Sequence, residues 1–323
     1  MMRRVVQISV TVGLLALLAW SVETRDVLSF LQRIDLVYGG AALALLLLQN
    51  ELVTRRWTVV LKAFVSPPTH FRMLRIVYLA LFAQLFLPTS IGGAFVRAGM
   101  LFRAGVSLGV AANSVILDRL IALGGLILYA AVFLPAVSVP WTVDQEVRRL
   151  GFIIAGIAVA SLATVIGALK LQPLTYWLSL LNRTPIRHLL TPVQAAASNL
   201  KNPRRIVAAL ALSLAAQLVT ICAVFVLAMG MGLSVRLIDC LLVMPPVMLI
   251  ASLPISISGW GVREGAMMVA FGLLDVPKEA ALALSVQFAL LGYLAATPGA
   301  LAWLIEVNAR ANKRTSEDAT DGY

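Results

Sequence analysis

Two arginines, 166 positions apart, close two nearly identical phrases. Arg97 ends Leu87-Pro88-Thr89-Ser90-Ile91-Gly92-Gly93-Ala94-Phe95-Val96-Arg97. Arg263 ends Leu253-Pro254-Ile255-Ser256-Ile257-Ser258-Gly259-Trp260-Gly261-Val262-Arg263, with Glu264 and Gly265 after it. Each phrase finishes one apolar run, turns through proline, serine and glycine, and opens a second apolar run. Broken apolar helices at corresponding places in two halves point to the binding site of a transporter. The chemistry offered is anion binding. A half-helix that starts inside a membrane aims unpaired N–H groups at the space before it, and a guanidinium fork matches the geometry of a phosphate. The candidate substrate-binding residues are Ser90, Gly92, Gly93 and Arg97 in the first phrase, and Ser256, Ser258, Gly259, Trp260, Arg263 and Glu264 in the second. Asp118 and Arg119 join them as a site or gate, because they stand roughly ten residues inside a long apolar run, where charge without a partner is costly. The plainer alternatives are arginines that snorkel to an interface and an Asp118-Arg119 structural pair.

Glu264 has no acidic counterpart, since the matched position is Ala98. Either it pairs with Arg263 or it carries a proton. Trp260 stacks on cargo or plugs a cavity. Glu51, Arg55 and Arg56 form an ion-pair cluster at a helix end or touch lipid headgroups. Gln84, Gln217 and Gln287 suit helix–helix hydrogen bonds. The chain shows no Ser-His-Asp set, no metal-ligand cluster and no Gly-x-x-x-x-Gly-Lys phosphate loop. His70 and His188 sit in basic stretches that suit headgroup contact better than catalysis. The expectation is a non-enzyme without metal or cofactor. Cys222 and Cys240 lie in apolar surroundings and read as small packing residues.

The elements that must hold these residues follow from composition. With 60% hydrophobic and 13% charged residues, the chain is no ordinary soluble domain. Its apolar runs reach the roughly 20 residues needed to cross a bilayer as a helix, which excludes the short alternating segments of a membrane barrel. The fold class expected is an all-α polytopic bundle with two inverted repeats, each containing a re-entrant broken-helix hairpin. Residues 5–22 predict an uncleaved first helix, because Glu23-Thr24-Arg25-Asp26 follows in place of a small-residue cleavage site. A second helix starts near Val37 and runs to the basic cluster Arg55, Arg56, Lys62, Arg72 and Arg75. Residues 76–87 are too short to cross and begin the first hairpin, which leads to Arg103. Spans follow at 109–137, 150–169 and 206–230, with an amphipathic interfacial segment at 170–205. The second hairpin covers 237–274, broken at Pro254–Gly261, and the last helix ends near Trp303. Repeat motifs fall around 76–130 and 238–304 within a membrane domain of 1–309, and 310–323 is a hydrophilic tail. Three spans separate the hairpins, so they enter from opposite faces. Much of the +11 net charge falls at 3–4, 55–75, 170–205 and 310–314, all on one side. The positive-inside rule makes that side cytoplasmic, with both termini.

At these residues the chain resembles the lysylphosphatidylglycerol synthase transmembrane-region family, the flippase-like domain. The resemblance rests on Leu87 to Gly93 with Val96-Arg97, on Arg103-Ala104-Gly105-Val106-Ser107, on Leu117-Asp118-Arg119-Leu120, and on Pro254 to Gly265. It covers essentially the whole chain. One departure is Ala94, where the family often has aspartate after the paired glycines. The resemblance implies movement of lipids or lipid-linked glycans across a bacterial or archaeal inner membrane. It also implies a stand-alone membrane domain, without the synthase domain that follows in bifunctional relatives. The expected partner is a membrane lipid, either an anionic phospholipid or a lipid-linked glycan, and not nucleic acid. The alternatives are a non-transporting subunit that recruits or regulates a glycosyltransferase or lipid synthase, and a membrane-embedded lipid transferase. A homo-oligomer stays open through the small residues Gly105, Gly109, Gly124 and Gly125.

Overall fold

The computed structural model describes residues 24–31, 35–86, 92–138, 202–252 and 260–304, and isolated positions between 11 and 22. The described residues form helices: α1 (Thr24–Leu31), α2 (Leu36–Leu61), α3 (His70–Phe86), α4 (Gly92–Arg103), α5 (Leu108–Ser138), α6 (Pro203–Gly230), α7 (Leu237–Ser252), α8 (Val262–Gly272) and α9 (Lys278–Ala296). Helical structure resumes after Thr297 and carries the last apolar run to Leu304. Among the described residues, four helices are long and apolar enough to cross a membrane: α2, α5, α6 and α9 with its extension. The expected first helix (5–22), the turns at Leu87–Ile91 and 253–259, the span at 150–169, most of 170–205 and the tail lie outside the described residues.

Two boundaries differ from expectation. The helix expected to begin at residue 76 begins at His70, so Arg72 and Arg75 belong to α3 and not to the end of the preceding helix. The spanning helix α6 begins at Pro203 rather than 206, which removes Arg204 and Arg205 from the amphipathic segment. Its start is set locally. The Asn202 side chain accepts from the Arg204 N–H at 3.0 Å, and proline at the first position loses no needed donor.

Three helices end the same way. Gly105, Gly232 and Asp275 adopt positive φ of 93°, 72° and 58°. The next N–H then reaches back five residues: Val106 to Leu101, Leu233 to Ala228, and Val276 to Phe271. This is the Schellman stop, with an apolar residue after the left-handed one. It ends α4 and α8 alike, at positions 170 apart, whereas the two phrases align 166 apart. The second half-helix is thus displaced by one turn relative to the first. Arg97 is the sixth residue of α4, and Arg263 is the second of α8.

The principal contacts come in matched pairs. With α2 to α5 set beside α6 to α9, α2–α3 matches α6–α7, α3–α4 matches α7–α8, and α4–α5 matches α8–α9. Across the halves, α2–α9 matches α6–α5, and α3–α9 matches α7–α5. The helices α2 and α6 form the central pair and run antiparallel. Arg205 donates to the Lys62 carbonyl at 2.8 Å at one end, and Tyr38 faces Gly230 at the other. The loop after α2 and the loop after α6 therefore lie at opposite ends of that pair. Arg75 of α3 donates to the Ala302 carbonyl, and a Cβ at Gly299 would meet the Tyr78 carbonyl at 2.1 Å, so the end of the α9 run meets the start of α3. Gly125 of α5 approaches Ser213 of α6 so closely that a Cβ there would stand 2.5 Å from the serine Cβ. Small residues at such crossings let membrane helices pack without a hydrophobic driving force. By contrast, Gly109 and Gly124 face open space.

Pro245 and Pro246 lie inside α7. Neither has an N–H, so the carbonyls of Leu241 and Leu242 lose their helical donors. The Tyr129 hydroxyl of α5 donates to the Leu241 carbonyl at 3.2 Å and restores one of them.

Candidate functional site

Asp118 is 1% exposed and stands about 15 Å along α5 from its first residue, half the thickness of a hydrocarbon core. A carboxylate at that depth needs donors, and arginines supply them. Arg56 of α2 donates through Nε to Oδ1 at 2.8 Å and through Nη2 to Oδ2 at 3.2 Å. Its Nη1 reaches the Ser213 Oγ of α6 at 3.3 Å. Arg97 of α4 donates through Nη1 to Oδ2 at 3.2 Å. The Arg97 guanidinium lies over the Trp57 ring, 5.4 Å from its centroid. Trp57 is held in turn by its Nε1 donating to the Ser114 Oγ at 3.2 Å. Four helices thus meet at one buried carboxylate.

The second cluster is more local. The Glu264 carboxylate is 1% exposed and accepts from the Arg263 Nε at 3.1 Å and from the Arg263 Nη2. It also accepts the Gly261 N–H at 2.6 Å and the Ser285 hydroxyl of α9 at 3.5 Å. Glu264 thereby fills the N-terminus of its own helix, where the unpaired N–H groups favour an anion. Gly261 at φ 81° makes the turn, a conformation that side-chain-bearing residues rarely adopt. Trp260 lies near the Arg263 guanidinium at 5.5 Å and faces Tyr293 at 6.1 Å between ring centroids. Each half thus holds an arginine, a buried carboxylate and a tryptophan.

Of the predicted residues, Arg97 and Asp118 come together, as do Trp260, Arg263 and Glu264. Among the described residues, the two clusters share no bonding partner. Arg119 is exposed, on a different face of α5 from Asp118. Gly92 and Gly93 are buried at the start of α4. A Cβ at Gly93 would meet the Gln84 Oε1 at 2.8 Å and the Ala80 carbonyl at 3.3 Å, so the glycine lets α4 lie against α3. Ser90, Ser256, Ser258 and Gly259 lie outside the described residues.

The larger surprise is Arg56, which the sequence grouped with Glu51 and Arg55. The structure splits that trio. Glu51 binds Arg55 at 2.6 Å and His70 at 3.0 Å at the helix surface, while Arg56 turns inward. Its neighbours Trp57 and Thr54 are fully buried, which marks the inward stripe of α2. Ser213, Ser114, Ser285 and Tyr293 carried no signal beyond being polar groups inside apolar runs.

A family model described as the lysylphosphatidylglycerol synthase TM region matches residues 4–299. The chain belongs to this family. No curated protein matches it. Family membership and the long apolar helices make it a multi-pass membrane protein. The match runs through both arginine clusters and through segments outside the described residues, so the two halves belong to one family domain.

Proposed function

We propose that this member of the family is a lipid transporter of the inner membrane that moves an anionic phospholipid or a lipid-linked glycan between leaflets. The observation that carries the proposal is the pair of half-length helices, each bearing an arginine tied to a buried carboxylate, at corresponding places in the two sets of helices. Buried charge of this kind in a membrane domain is expensive and marks a path for a polar group. The matched contacts support an inverted repeat. The start of α3 and the start of α5 both approach the C-terminal end of α2, which suits a first hairpin that returns to its own side. The end of the α9 run meets the start of α3, so α8 and α9 join at the other side, which suits a second hairpin returning to the opposite face. The headgroup would pass between the hairpins while the acyl chains stay in lipid, and one half would rock against the other. In this proposal both termini are cytoplasmic, the chain is not an enzyme, and no cofactor takes part.

The test is reconstitution of the purified full chain into vesicles that carry a fluorescent phosphatidylglycerol. The expected result is loss of the protected inner-leaflet signal on adding a membrane-impermeant quencher, in proportion to protein per vesicle. Vesicles holding monodisperse protein that keep half the signal, as empty vesicles do, would contradict transport and favour the recruiting-subunit reading.

A further inference from the structure

The arginines at the two clusters differ in what they have left to offer. Arg56 bonds Asp118 through two nitrogens and Ser213 through the third. Arg263 bonds Glu264 through Nε and Nη2, and its Nε also reaches Ser285. Arg97 makes one hydrogen bond, Nη1 to Asp118 at 3.2 Å. A guanidinium has five N–H donors in a fixed fork, so Arg97 keeps the Nε and Nη2 edge free of described partners. Its side chain is 14% exposed and rests on the flat of Trp57.

The charges are unequal as well. At the first cluster Arg56 and Arg97 face the single carboxylate of Asp118, which leaves one positive charge in excess. At the second, Arg263 and Glu264 cancel. The N-terminus of α8 is already filled by Glu264, its third residue, whereas the third residue of α4 is Ala94. A cationic headgroup would meet the opposite problem. The buried carboxylates among the described residues are Asp118, Asp239 and Glu264, and each accepts from an arginine. An ammonium would have to displace a guanidinium from one of them.

We infer that Arg97, and not Arg263, is the residue that takes the ligand's phosphate, and that the ligand is a phosphodiester monoanion whose headgroup carries no ammonium. One such charge balances the excess at the first cluster. Arg56 is the positioning residue: it holds Asp118 in place when Arg97 turns its free edge to the ligand. Arg263 and Glu264 fix the start of the second half-helix. The inference rests on the proposed lipid-handling site, yet it is tested by binding alone.

The experiment titrates the full chain in detergent with dihexanoyl phosphatidylglycerol, phosphatidylethanolamine and lysyl-phosphatidylglycerol, following tryptophan fluorescence, for which Trp57 beneath Arg97 is the reporter. Phosphatidylglycerol should bind at least tenfold tighter than the other two. Arg97→Gln should weaken it tenfold or more, Arg97→Lys should restore part of the loss by keeping the charge, and Arg263→Gln should weaken it far less than Arg97→Gln. Equal binding of phosphatidylethanolamine or lysyl-phosphatidylglycerol would overturn the inference, as would a monodisperse Arg97→Gln protein that binds like wild type. A parallel titration with glycerophosphoglycerol and inorganic phosphate separates the sources of the phosphate. Weak binding of both supports a lipid, and binding as tight as that of the lipid would assign the site to a soluble phosphate and overturn the lipid part. Phosphatidylglycerol binding that depends on Arg97 without vesicle transport would sink the transporter proposal and leave this site standing. Transport that survives Arg97→Gln would do the reverse.

Discussion

At the scale of single residues, burial decides which charges matter. Asp118 and Arg119 are neighbours in sequence, but one is 1% exposed and the other lies on an exposed face. Removing one partner of a buried pair leaves an uncompensated charge and costs about 3–5 kcal/mol, whereas an exposed substitution falls within about 0.5 kcal/mol. Asp118→Asn should therefore lower the thermal unfolding midpoint of the purified protein markedly, and Arg103→Gln, at the exposed C-terminal end of α4, should barely move it. Equal midpoints for the two variants would show that Arg56 finds another partner, against the four-helix junction described above. The sequence makes Asp118 conspicuous because a carboxylate in an apolar run must have a reason. It hides Arg56, because Arg55 beside it makes the pair look like an interfacial charge cluster, and only the inward facing of Thr54 and Trp57 separates the two.

At the scale of elements, the described short and long helices follow closely from apolar run lengths. What the residue pattern does not carry is register. The two phrases align at the break, yet the Schellman stops at Gly105 and Asp275 align one turn later, so the two arginines occupy different depths in their half-helices. Helix crossings are legible only in part. Gly124 and Gly125 look equivalent in sequence, but a Cβ at Gly125 would overlap Ser213 while one at Gly124 meets nothing within 4 Å. Gly125→Ala should cost about 1–3 kcal/mol through overpacking, and Gly124→Ala should be neutral or slightly stabilising through helix propensity. The comparison needs only thermal unfolding of the two variants. A Gly124→Ala protein less stable than Gly125→Ala would contradict the α5–α6 crossing.

At the scale of the whole molecule, the matched contacts of α2–α5 and α6–α9 support the proposed inverted repeat, and the proposed lipid path depends on the two sets facing opposite ways. The sequence predicts that arrangement from the odd number of spans between the expected hairpins and from the placement of basic residues; one of those spans and both expected turns lie outside the described residues. The most direct measurement is the sidedness of the two entry loops. Ser66, between α2 and α3, and Ser234, between α6 and α7, are both exposed and suited to single-cysteine labelling after Cys222 and Cys240 are replaced. In right-side-out membranes a membrane-impermeant maleimide should label Ser234→Cys without lysis and Ser66→Cys only after it. Labelling of both without lysis, or of both only after it, would place the hairpins on one face and contradict the inverted arrangement on which the lipid path is built.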